Sequence, residues 1–206
     1  MSKIAIKGNE SGTATFTIEA PATNTDRIFE LPDEAGKILT DVGVPTSAMP
    51  AGSVIQVVST TKNDTFSASV AAGVSVDVTG LSASITPSLA SSKIFVMASL
   101  SCHNQFEGGG GLAIFRNGVL ILPSASKGSQ TEGRLNASMI GLTNSQIQGN
   151  VNFSGLDSPN STSAQTYQVR VYNVATTTRT LYVNRPQDAS ARYFSVSTIT
   201  LMEIAA

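Results

Sequence analysis

Three observations predict an all-β fold. Apolar residues alternate with Ser, Thr and Asn along most of the chain, which is the two-residue period of a half-buried strand. Turn residues punctuate those runs at short intervals, and the three-and-four spacing of an amphipathic helix is hard to find. The chain is also poor in charge, with 13% charged residues and 41% hydrophobic residues in 206. That apolar share is enough for a core, so low charge here does not signal disorder.

The elements divide into an N-terminal β arm, residues 1–44, a linker, residues 45–52, and a head domain, residues 53–206. In the arm, Ile4 and Ile6 alternate before the turn Gly8 to Gly12, followed by Phe16 with Ile18 and then Phe29 with Leu31. A second turn, Asp33 to Gly36, precedes Ile38 and Leu39. A segment of this size rarely holds a core without a disulfide, a metal or association. Cys102 is the lone cysteine, which excludes an intrachain disulfide. Its neighbour His103 is the lone histidine, and adjacent strand residues point to opposite faces, so the two cannot jointly grip a metal. The arm is therefore expected to bury its strands against copies of itself or another protein. The linker is read from Pro45, Pro50 and the small residues between them.

In the head, strands are expected at Val54 to Thr60, Thr65 to Val70, Val74 to Thr79, Leu81 to Ile85 and Lys93 to Cys102. Others follow at Leu112 to Arg116, Val119 to Leu122, Leu135 to Leu142, Ile147 to Phe153, Thr166 to Val174, Arg179 to Val183 and Phe194 to Ile204. Asn117-Gly118 is the strongest local signal, because Asn-Gly favours the type I′ turn that matches strand twist. Many short strands in such a domain suit an antiparallel β-sandwich or jelly roll.

Two strands depart from alternation. Lys93 to Leu100 is apolar on both faces, and in the last strand Met202 and Ile204 lie on one parity while Ile199 and Leu201 lie on the other. A strand apolar on both faces needs a cover on both, whether by a parity-switching bulge, a covering loop or a subunit interface. Ile94, Val96, Leu100, Ile199 and Leu201 are the candidate interface residues.

Chemistry is sparse, and no enzyme is expected. A Ser-His-Asp site would have to use His103, and no Gly-x-Ser-x-Gly accompanies it. Gly108 to Gly111 lacks the Lys-Ser/Thr ending of a phosphate loop and reads as a mobile hairpin entry. Glu107, Glu132 and Asp157 are the carboxylates a glycosidase would need, but loop carboxylates are usually only solvated, and Asp157-Ser158-Pro159-Asn160 reads as a turn. Tyr167, Tyr172, Tyr182 and Tyr193 suit sheet packing better than ligand contact. Cys102 is expected to be plain core. Catalytic residues, metal ligands and cofactors are therefore expected to be none. With 13 basic against 14 acidic residues there is no basic stripe for nucleic acid. The longest apolar run, Ile94 to Leu100, is too short to insert in a membrane, and Met1 to Ile4 opens no signal peptide, which places synthesis in a cytoplasm.

Residues 12–40, from Gly12-Thr13-Ala14-Thr15-Phe16-Thr17-Ile18 through Leu31-Pro32-Asp33 to Ile38-Leu39-Thr40, resemble a segment common in phage tail-fibre and virion-fibre proteins. Ile28-Phe29-Glu30 is a mild departure from that pattern. Residues 80–101 and 153–204 resemble a C-terminal module of phage fibre and decoration proteins, on the landmarks Leu81 to Pro87, Ser91 to Ile94, Leu156 to Pro159 and Ser197 to Ile204. That module in turn resembles the jelly-roll heads of the C1q and tumour-necrosis-factor type. The resemblance implies a homotrimeric virion structural protein of a bacteriophage, a short fibre or capsid decoration assembled in the host cytoplasm and displayed on the particle surface. It implies an arm that anchors the chain to other virion proteins of the capsid or tail. The alternative it leaves open is a receptor-binding tail-fibre adhesin for host attachment, recognising a host surface glycan or protein.

Overall fold

The computed structural model describes residue 11 and residues 44–104, 109–123, 135–139, 144, 146–188 and 194–206. The chain divides into two units, Met1–Thr40 and Asp41–Ala206, and the architecture below belongs to the second. The strands expected in the arm lie outside the described residues.

A 3-10 turn, Thr46–Ala48, precedes the strands β1 Val54–Lys62, β2 Phe66–Val70, β3 Ser75–Ile85, β4 Lys93–Asn104, β5 Gly110–Arg116 and β6 Val119–Leu120. Then come β7 Ala137–Met139, β8 Gly149–Asp157, β9 Gln165–Asn173, β10 Arg179–Val183 and β11 Ser197–Ile204. Every pairing among these described strands is antiparallel.

Two strands are interrupted, and this simplifies the topology. Strand β11 pairs with Lys93–Ser99 of β4 and β10 with Cys102–Asn104, while β8 holds the opposite edge of β4. Thus β10 and β11 lie end to end in one lane, and β2 and β1 flank them in the next. In the same way β6 and β7 share the lane beside β5. The first sheet then reads β1/β2, β10/β11, β4, β8, and the second β3, β9, β5, β6/β7. Counting the lanes in chain order gives 1-8-3-6 over 2-7-4-5, the winding of a jelly roll.

The core fills the space between the sheets. On β4 the even residues Ile94, Val96, Ala98, Leu100 and Cys102 point inward; on β11 it is the odd residues Ile199 and Leu201. From the second sheet come Leu81, Ile85, Leu112, Ile114, Val169 and Val171. This corrects the assignment of Ile94, Val96, Leu100, Ile199 and Leu201 to a subunit interface. Each is 0% exposed and covered by the protomer's own two sheets, so none has surface left to offer another copy.

Several expected boundaries shift for identifiable reasons. Val74–Thr79 and Leu81–Ile85 merge into β3, whose pairing with β9 jumps between Asp77 and Ser82. Gly80, at φ +81°, sits in that bulge, where a left-handed backbone favours glycine. The Asn117-Gly118 hairpin is present, with φ of 48° and 85°. Gly110 and Gly111 belong to β5 and are buried, which corrects the reading of a mobile entry. A Cβ on Gly111 would lie 2.4 Å from the Ala137 carbonyl oxygen and 2.7 Å from the Leu135 side chain, so only glycine fits there.

Candidate interaction surface

Several of the polar groups that the fold encloses are turned to structural use. Where the β10/β11 lane breaks, Asn184 adopts φ 60° and its Nδ2 donates to the carbonyls of Lys62 at 2.8 Å and Asp64 at 2.9 Å. Its Oδ1 accepts from Ser197 Oγ at 2.6 Å, and that oxygen accepts from the Ser101 backbone N–H at 3.0 Å. Asn136 does the same where the β6/β7 lane breaks, accepting from the Ile114 N–H at 2.6 Å and donating to the Ile121 carbonyl at 2.9 Å. An asparagine amide thus restores the pairing that a continuous strand would have supplied.

The carboxylates are likewise engaged. Asp157 ends β8 and accepts from Arg116 of β5 and, at 2.8 Å, from the buried Tyr167 hydroxyl of β9, so it latches one sheet to the other. Burial, and then this bond to Asp157, pushes the Tyr167 phenol well above its ordinary range. Asp157 is therefore neither a solvated turn residue nor half of an exposed acid pair. Glu107 and Glu132, its would-be partners, lie outside the described residues. Glu203 is buried on β11 and accepts from the Ser88 N–H at 2.6 Å and from Gln56 Nε2, fixing the turn after β3. Burial alone would raise its pKa, yet the Gln56 and Ser88 donors hold it below the ordinary 4.5.

Cys102 packs in the core, where burial pushes its thiol up to about 12. His103, on the opposite parity, is also buried: its Nδ1 donates to the Ile147 carbonyl at 2.8 Å, and its ring lies 6.0 Å from that of Tyr182. Tyr172 is buried too, and Tyr193 lies outside the described residues. Among the described residues no group of three His, Cys, Asp or Glu side chains could hold a metal ion.

What remains is surface, and the surface with a distinct character is the outer face of the first sheet. Register places three rows of four residues across it. One row is Val57, Met202, Phe95 and Leu156, and the next is Ser59, Thr200, Met97 and Ser154. The third is Thr61, Thr198, Ser99 and Asn152. None of these side chains is charged. Val57 is 56% exposed, Leu156 45% and Met97 43%. A shallow groove of about 310 Å³ runs over Met97, lined in part by Ser99, Asn152, Ser154, Thr198 and Thr200. Sequence reasoning detected that β4 and β11 are apolar on both faces but assigned the wrong parity to the outside. The signal it lacked was register, because Val57 and Leu156 join the patch only through cross-strand pairing.

No protein-family model matches the chain, and no curated protein matches it. Among solved structures, it is similar to a chain of the infectious bursal disease virus Gt strain, 14% identical over 73% of this chain and 38% of that one, with a TM-score of 0.40. It is also similar to the infectious bursal disease virus VP2 subviral particle, 16% identical over 73% of this chain and 37% of that one, TM-score 0.35. A third similarity is to the infectious bursal disease virus Gx strain, 13% identical over 74% and 37%, TM-score 0.33. The chain spans less than two fifths of the length of each of these.

Proposed function

We propose that this chain is a structural protein of a virion, a short homotrimeric fibre or capsid decoration of a bacteriophage, in which residues 1–44 anchor a displayed jelly-roll head. The observation that carries this reading is where the head landmarks fall. Leu81, Ala83 and Ile85 are core residues of β3, and Ser92 and Ile94 are buried at the start of β4. Asp157 makes the latch between sheets, and Ser197, Ile199, Leu201 and Glu203 build the inward side of β11. The stretches that resemble the phage module thus contribute core and latch residues to the jelly roll, and this supports the reading.

Immunogold electron microscopy of purified particles tests this directly. Label on the particle surface, at a fixed position on head or tail, is the expected result. Particles that carry neither label nor peptides of this chain by mass spectrometry contradict it. A chain that starts at Ala51 should keep the head but lose the particle, and normal attachment by that chain would move the anchor into the head.

A further inference from the structure

The chain holds a single Asn-Gly pair, Asn117-Gly118, and it forms the two-residue turn between β5 and β6. Asn-Gly is the dipeptide at which an asparagine amide is lost most readily, because glycine leaves the next backbone nitrogen unscreened by a side chain. In that reaction the Gly118 nitrogen gives up its proton and attacks Asn117 Cγ, the Cγ–Nδ2 bond breaks, and ammonia leaves. Water then opens the five-membered imide at either carbonyl, its hydroxyl going to carbon and its proton to nitrogen, which leaves aspartate or isoaspartate. Asn117 and Gly118 are both exposed, so water reaches them.

What the fold adds is a grip on the amide. The Asn117 N–H donates to the Thr166 carbonyl at 3.0 Å, its Oδ1 accepts from the Thr166 N–H at 3.0 Å, and its Nδ2 donates to Gln165 Oε1 at 3.0 Å. Gln165 is itself buried and tethered, its Nε2 donating to the Ser163 carbonyl at 3.0 Å. Both ends of the side-chain amide are thus turned toward the start of β9. For Cγ to meet the Gly118 nitrogen the side chain has to turn, and turning breaks both bonds.

We infer that Asn117 is a deamidation site that the folded head holds closed through Gln165 and Thr166, and whose conversion releases the β5–β6 hairpin from β9. Aspartate at this position has no N–H for Gln165 and sets a charged oxygen against Gln165 Oε1. Isoaspartate carries the main chain through an extra carbon, so the turn no longer matches the register of Arg116 with Val119 and Phe115 with Leu120. Arg116, the next residue back, holds Asp157 in the latch between the sheets, so the loosened turn lies beside that contact.

Peptide mapping by mass spectrometry on the full chain, incubated at neutral pH with and without guanidinium chloride, tests the assignment. Asn117 should convert roughly tenfold or more slowly in the folded chain than in the unfolded one, because two side-chain hydrogen bonds must open first. Gln165→Ala, shown folded by circular dichroism, should convert several-fold faster than the folded wild type. Equal rates in folded and unfolded wild type overturn the closed site, and this comparison decides the matter if Gln165→Ala does not fold. A folded Gln165→Ala that converts at the wild-type rate overturns the role of the grip. Asn117→Asp, which reproduces the aspartate product, should lower the denaturation midpoint, and an unchanged midpoint overturns the release of the hairpin.

Discussion

On the second sheet's outer surface, Arg170 of β9 reaches Asp77 of β3 and rests on Phe115 of β5, so that ring is capped by a cation. On the first sheet's outer surface the central positions are Met97, Phe95 and Met202, and no charged side chain lies over them in the three rows. Both surfaces are made by strands of the same alternating kind, and both enclose the same core. The difference shows that alternation alone settles which side of a strand faces in, not what the other side is for. The first sheet also carries a cation over a ring, Arg185 at 5.1 Å from the Tyr182 ring of β10, but outside the three rows.

The largest effect should come from confusing inside with outside on β11. Leu201→Asp places an unpaired charge between the sheets and should cost more than about 4 kcal/mol, enough to unfold a domain of ordinary stability. Met202→Asp, one residue on, reaches the outer row and should leave the fold intact. Urea melts on the two variants check this, and equal destabilisation by both would erase the distinction between the faces.

Next is the lane break, which belongs to neither outer face. Asn184→Ala leaves the Lys62 and Asp64 carbonyls and the Ser197 hydroxyl without their partner, at about 1–3 kcal/mol for each group that water cannot reach. A chemical-denaturation midpoint unchanged from wild type would mean that the break is held by something else.

Acid should act through the first sheet. Because Glu203 has a folded pKa below its ordinary 4.5, its contribution is complete above that value and is lost as pH falls through the folded one. Stability should therefore hold from neutral pH to about 5 and then decline, and Glu203→Gln should flatten the decline. A wild-type profile that Glu203→Gln does not alter would remove this carboxylate from the acid response.

The smallest effect should be on the second sheet's outer surface. Asp77 is 52% exposed by side chain, so Asp77→Ala should cost no more than about 1 kcal/mol and leave the assembly mass unchanged. A change of mass would show that this face meets a partner.

Much of this architecture is legible in the residues. The strands, the Asn117-Gly118 hairpin and the core role of Cys102 follow from period, turn chemistry and apolar character. The lane breaks do not, because what marks Asn184 and Asn136 is the partners they reach across the fold, and a lone asparagine looks like any turn residue. Asp157 was misread for the same reason, since its donors Arg116 and Tyr167 lie on other strands. The choice between Ile199 with Leu201 and Met202 with Ile204 was undecidable from pattern, because a strand apolar on both sides gives no parity signal. Only pairing places one set over the core and lines up the other with Val57 and Leu156.

Methionine oxidation read by mass spectrometry tests the contrast between the two sides of the first sheet most directly, on the unmodified chain. Met97 is 43% exposed and Cys102 of the same strand 0% exposed, so peroxide reaches the thioether and not the thiol. Met97 should gain oxygen while Cys102 stays reduced. Oxidation of Cys102 as fast as Met97, or faster, would contradict the account.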